Sequence, residues 1–190
     1  MKVAQFDKLT ADVLMPVAAR DGFELREGAV WRRRRPGIID VVILDFDVRQ
    51  GRTFNVIVGF SSDVTAEGRL PPECGVTAVQ YLNGGGSLSD GVQRFTCFDA
   101  AAARQSLARV SAAWSVLLAR FDSVMSFEQL ADIVEPLYSY DRARLYAAAG
   151  AREKAVAAYE THIANLERQP LTDETAGYIA ATREMIRSLE

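Results

Sequence analysis

Apolar and polar residues alternate from Thr53 to Phe60. Phe54, Val56, Val58 and Phe60 fall on one side of an extended chain, and Thr53, Asn55, Ile57 and Gly59 on the other. Side chains of a strand point to opposite faces in turn, so this stretch predicts a strand with one deeply buried face. The stretch before it is apolar on both sides, with Val42, Leu44, Phe46 and Val48 on one and Ile39, Val41 and Ile43 on the other. That pattern predicts a central strand covered on both faces. Arg49-Gln50-Gly51-Arg52 separates the two. Four residues cannot carry a crossover, so the pairing is expected to be antiparallel.

The rest of the chain reads as elements arranged around this hairpin. Phe6, Leu9, Val13 and Val17 recur at helical spacing and predict a helix over 3–20, bent or split at Pro16 and capped by Gly22. Phe23–Arg26 and Ala29–Arg35 read as short strands, with Pro36-Gly37 turning the chain into the hairpin. A long loop over 61–75 contains Pro71-Pro72, which cannot donate to a ladder. Val76–Leu82 and Val92–Phe98 predict two more strands around a flexible glycine-rich loop. From Asp99 the pattern turns helical. Asp99 is expected to cap one long helix over 100–122, whose stripe of Leu107, Val110, Trp114, Leu117 and Phe121 should lie across the sheet. Ser126-Phe-Glu-Gln is a capping box opening a short helix to about Val134. Pro136 suits the first turn of a helix over 137–149, Gly150 ends it, 151–168 forms another, and Thr172 opens the last over 173–189.

These elements predict an α+β fold. A mostly antiparallel sheet of five or six strands is covered by the N-terminal helix and the long central helix, and an α-helical C-terminal extension follows. The expected division is an α+β unit over 1–122 and a helical extension over 123–190, the second either separable or packed as one unit with the first.

Composition narrows the function classes. The chain has 190 residues, 49% of them apolar and 25% charged, enough for a substantial core. The net charge of −3 argues against a dedicated nucleic-acid binder without excluding a local basic patch. No apolar run reaches the roughly 20 residues of a membrane span, and the first residues lack a signal-peptide pattern, so a cytoplasmic location without membrane contact is expected. Cys74 and Cys97 have no CxxC spacing, which argues against a disulfide framework or a zinc site.

Two resemblances follow from particular residues. The helix ending in Gly22-Phe23, the Val30-Trp31-Arg32 strand, Ile38-Ile39 with its long apolar strand, and Thr53-Phe54-Asn55-Val56 leading to Gly59 together resemble the bacterial DUF 4304 family over 3–122. That resemblance implies an α+β fold and carries no established activity and no site residues. Residues 137–169 are similar to one degenerate tetratricopeptide-type helix pair, through Ala143-Arg-Leu-Tyr146, Gly150 and Ala155-Val-Ala-Ala-Tyr159. A single such pair must pack on neighbours to bury its face.

Candidate chemistry is sparse. Trp31-Arg32-Arg33-Arg34-Arg35 is the densest charge cluster, and an aromatic beside four arginines can stack a base and bind phosphates. The competing reading is a strand end whose arginines pair with Glu24, Asp40, Asp45 or Asp47, and a strand splits the four between two faces. Asp45 and Asp47 share a face but lack the further ligands a hard cation wants. Gly84-Gly85-Gly86 lacks the Lys-Ser/Thr of a phosphate loop and reads as a hairpin loop. His162 is the sole histidine, and a place on a helix surface or in helix packing is its favoured reading. The series Tyr138, Tyr140, Tyr146 and Tyr159 reads first as helix packing, with any exposed members able to line a groove, and Tyr138, Tyr140 and Arg144 are the candidates for an outward, partner-facing set. No catalytic residue, metal site or cofactor is expected. The leading reading is a non-enzymatic protein–protein interaction module; the alternative is nucleic-acid or phosphate binding through Trp31–Arg35.

Overall fold

A computed structural model describes residues 1–26, 28–65, 77–170 and 172–189. The expected loop over 61–75 and Cys74 fall largely or wholly outside these residues. The first helix, α1 (Val3–Arg20), is continuous. Pro16 does not split it, contrary to one of the two expectations. The carbonyl that Pro16 leaves unbonded belongs to Asp12, on the exposed side of the helix where water can serve it. Gly22, at φ +81°, lets the Phe23 and Gly22 amides return to the Ala18 and Ala19 carbonyls, which stops the helix.

The strands are β1 (Glu24–Leu25), β2 (Val30–Arg35), β3 (Ile38–Phe46), β4 (Thr53–Ser62), β5 (Thr77–Leu82), β6 (Leu88–Ser89) and β7 (Arg94–Thr96). They form one antiparallel sheet in the order β1-β2-β3-β4-β5-β6, with β7 also on β4. The hairpin is its centre: Phe46 pairs Phe54, Val42 pairs Val58 and Ile38 pairs Ser62. Val48, expected on the core face of β3, lies past the strand end and is 71% exposed. The β6 strand lies inside the expected flexible loop. Asn83 makes this possible by accepting the Gly85 and Ser87 amides, so the three glycines form a tight hairpin turn. The strand expected over 92–98 shortens to β7, with Val92 and Phe98 exposed at either side.

The helical half comprises α2 (Ala100–Ala112), α3 (Trp114–Asp122), α4 (Phe127–Ile133), α5 (Ser139–Ala148), α6 (Arg152–Glu167) and α7 (Asp173–Ser188), with a 3-10 turn at Pro136–Tyr138 before α5. The single helix expected over 100–122 is interrupted at Ala113, where ψ opens to 5° and the Leu117 amide stretches to 3.4 Å from the Ala113 carbonyl. The predicted caps hold: Asp99 accepts from Ala102, Ser126 from Gln129 and Thr172 from Thr175.

Phe6 of α1 stacks on Phe46 at 4.9 Å, Phe54 stacks on Phe95 at 5.2 Å, and Trp114 and Phe121 of the α2–α3 layer meet Phe23 and Phe60 edge-on or tilted. One apolar cluster runs from these rings through Val124, Leu130 and Val134 to Leu145, Tyr146 and Ala155. It therefore spans both sides of the sequence division at residue 122. Among the described residues no helix is long and apolar enough to cross a membrane.

Candidate functional site

The β2 strand places its five candidate residues in two directions. Trp31, Arg33 and Arg35 point to the helix-covered face, where Trp31 is opposite Val42 and Arg33 opposite Asp40. Arg32 and Arg34 point to the other face, opposite Val41 and Ile39. The expected stacking aromatic is not at the surface: Trp31 is fully buried in the core, so no base can reach its ring without opening the fold.

Arg33 and Arg35 converge on Asp40, which is fully buried. Arg33 Nε donates to Asp40 Oδ2 at 2.7 Å, and Arg35 Nη2 donates to Asp40 Oδ1 at 2.6 Å. Both arginines then reach across to the helices. Arg33 Nη2 donates to Asp122 at 2.9 Å, and its guanidinium lies over the Phe23 ring at 5.3 Å. Arg35 Nη1 donates to the Val124 carbonyl at 2.8 Å, just past the end of α3. Burial works against the Arg33 charge, but its bonds to Asp40 and Asp122 outweigh this and raise its pKa. Two of the four arginines thus fasten the helical half to the sheet. Asp45 and Asp47 make other contacts: Asp45 accepts from Asn55, and Asp47 caps the turn through the Arg49 and Gln50 amides.

Beside this network, Gly37 turns β2 into β3 at φ +73°. A side chain there would sit 2.3 Å from the Phe127 ring, so the bare backbone is what seats α4 on the turn.

Arg34 is 61% exposed, and its 4.0 Å approach to Asp63 is at the limit of an ion pair. Arg32 is 7% exposed. With Gly22, Glu24 and Arg26 they line a cavity of about 210 Å3. The sequence cluster included Arg32 and Arg34 but missed Arg26, which β1 brings beside them. Glu24 opposite Arg32 in the strand register is the signal that locates it.

In the helical half the three candidates separate. Tyr138 is 49% exposed, next to Leu137 at 75%. Tyr140 leaves the outward set and takes the other reading, helix packing. Its ring lies 5.9 Å from Tyr159 and 5.1 Å from His162, and its hydroxyl points at Met185 Sδ. The register of α5 explains this, because Tyr140 shares the α6-facing side with Ala143, which is fully buried and sets a close helix approach. Arg144 is half-buried on α5 near Tyr159. Burial lowers the His162 pKa below its ordinary value, with Asp141 opposing. Sequence reasoning missed Leu137, since an apolar residue in a first turn gives no sign of which way it faces.

The α4 helix is tied to α5 and α6 by polar contacts. The Tyr146 hydroxyl donates to Asp132 Oδ1 at 2.7 Å, and Lys154 Nζ donates to Glu128 at 2.8 Å while lying over the Tyr146 ring. The Tyr146 bond, with Lys154 adding to it, holds the Asp132 carboxyl below its usual range. Beyond α6, a groove of about 430 Å3 lies against α7, with Ala176, Ile179 and Ala180 as its apolar lining and the Arg183–Glu167 pair at its rim.

No family model, curated protein or solved structure matches the chain.

Proposed function

We propose that the chain is a non-enzymatic protein-interaction module whose helical half carries the partner surface. The observation that carries this reading is Leu137, 75% exposed, beside Tyr138 at the start of α5. Tyrosine is a frequent anchor of protein partners, and the 3-10 turn leading into α5 holds Tyr138 and its neighbour Leu137 at the surface. The stacking of α4, α5, α6 and α7, each against the next, supports the same reading, because short stacked helices present one continuous side surface. The α+β half, for which we keep the DUF 4304 resemblance as a proposal, acts as the support.

The test is affinity capture from the native host with wild-type protein and with Leu137→Asp combined with Tyr138→Ala. Both positions are exposed, so circular dichroism should be unchanged. The proposal expects a specific captured protein that the variant loses. Equal capture by both forms would move the surface elsewhere. A partner that instead disappears with Arg34→Glu would place the surface on the sheet.

A further inference from the structure

The turn between β5 and β6 holds more glycine than its conformation requires. Gly86 sits at φ +82°, in the left-handed region that favours glycine, and closes against Ala113. Gly84 and Gly85 stay outside that region, and a side-chain carbon on Gly84 would meet nothing within 4 Å. Neither the backbone nor a neighbour in the fold therefore accounts for Gly84. The Gly85 and Ser87 amides bond to Asn83 Oδ1 and the Gly86 amide to the Asn83 carbonyl, whereas the Gly84 amide donates to no described residue. Bare backbone with a spare donor is what a chain presents where a ligand comes close.

Arg109, Ala112, Ala113 and Val116 recur at helical spacing and share one side of the α2–α3 layer. Together with Gly84, Gly85 and Gly86 they line a cavity of about 330 Å3. We propose that this cavity binds a small carboxylate with an apolar body, a short branched or aryl acid. Arg109 is the single charged residue among the described residues of the lining. It is exposed, and its side chain enters no ion pair or hydrogen bond with a described residue. Ala112 and Val116 are exposed beside it and supply the apolar wall.

The chemistry of the lining, and not its size, sets the ligand class. One unpaired guanidinium beside apolar side chains and bare glycine matches one negative charge on an otherwise apolar molecule. A phosphate dianion would keep a second charge against an apolar wall with nothing to pair it, and an organic cation would meet Arg109 with no carboxylate in the lining. A neutral apolar molecule would cover the guanidinium and leave its donors unmet. The planar guanidinium takes both oxygens of a carboxylate at once, and the Gly84 amide is a further donor in the same lining. The cavity shares no residue with the Leu137–Tyr138 surface, so the two proposals stand or fall separately.

The experiment follows amide chemical shifts and thermal shift of the full chain with benzoate and isovalerate, with their neutral amides benzamide and isovaleramide, and with inorganic phosphate, all at constant ionic strength. A peptide with an apolar last residue and a free C-terminal carboxylate forms a separate arm. Saturable binding of the two acids is expected, with shifts centred on Gly84–Gly86 and on Arg109–Val116, and weaker binding of the amides and of phosphate. Arg109→Gln should weaken the acids by about tenfold, the loss of a charge-assisted hydrogen-bonded pair, while Arg109→Lys keeps part of the affinity. Gly84→Ala, which adds a methyl where the fold leaves open space, should weaken binding at an unchanged melting temperature. Arg104→Gln, on the same helix but outside the lining, should leave binding unchanged. Arg104 and Arg109 are exposed, so both variants should keep the wild-type circular dichroism spectrum. Amides that bind as tightly as the acids, undiminished acid affinity in Arg109→Gln, or no saturable binding of either acid overturns the proposal. So does a peptide or phosphate that binds while the two acids do not.

Discussion

Asp40 has no exposed surface and accepts from two guanidiniums that are themselves largely buried. Removing it leaves two cations with poor compensation, so Asp40→Ala is expected to destabilise by about 3–5 kcal/mol in denaturant unfolding. Arg34→Ala, on the same strand but exposed, should stay within about 0.5 kcal/mol of wild type. That contrast was half legible in the sequence. A strand must divide four consecutive arginines between two faces, but only the register, with Arg33 opposite Asp40, says which pair finds the buried carboxylate. Asp122 and the Val124 carbonyl lie some ninety residues away, and no local pattern announces them. Gly37 makes a second test at this scale. Gly37→Ala forces a side chain into left-handed backbone and against Phe127, with an expected loss of about 2–4 kcal/mol from the two effects together. In the Phe127→Ala background the same change should cost clearly less, because only the backbone part remains. Additive losses would mean that the ring and the turn do not press on one another.

Elements built from short-range chemistry were the readable ones. The caps at Asp99, Ser126 and Thr172 each place an oxygen within reach of a free amide three residues on, and all three form. Less readable were features set by what lies across the gap. The break between α2 and α3 occurs where Ala113 comes close to Gly86 of the β5–β6 turn, and β6 exists because β5 offers it a pairing edge. The α5–α6 pair supplies a pH test. The folded state disfavours the His162 imidazolium, so its pKa falls below 6.5. As pH drops below that value the unfolded chain takes up a proton that the folded chain resists, and stability should decline; above it His162 adds no slope. His162→Gln is expected to flatten the stability curve just below pH 6.5. An unaltered slope would mean that the ring is protonated without penalty beside Asp141.

At the scale of the whole molecule, one apolar cluster joins the sheet, α4 and the α5–α6 pair, and the Arg33–Asp122 bond lies at the point where the sequence divides. Thermal unfolding should therefore be a single transition, with near-ultraviolet aromatic signals and far-ultraviolet helix signals lost together. Separate midpoints would show that the helical half melts on its own. The seat that Gly37 makes for Phe127 also sets an order of events during folding. The turn between β2 and β3 closes over a few residues, whereas Phe127 arrives from ninety residues downstream and needs that turn already shaped. Docking of α4 then belongs after the rate-limiting step. Phe127→Ala should speed unfolding and leave refolding nearly unchanged, whereas Val42→Ala, in the central hairpin, should slow refolding.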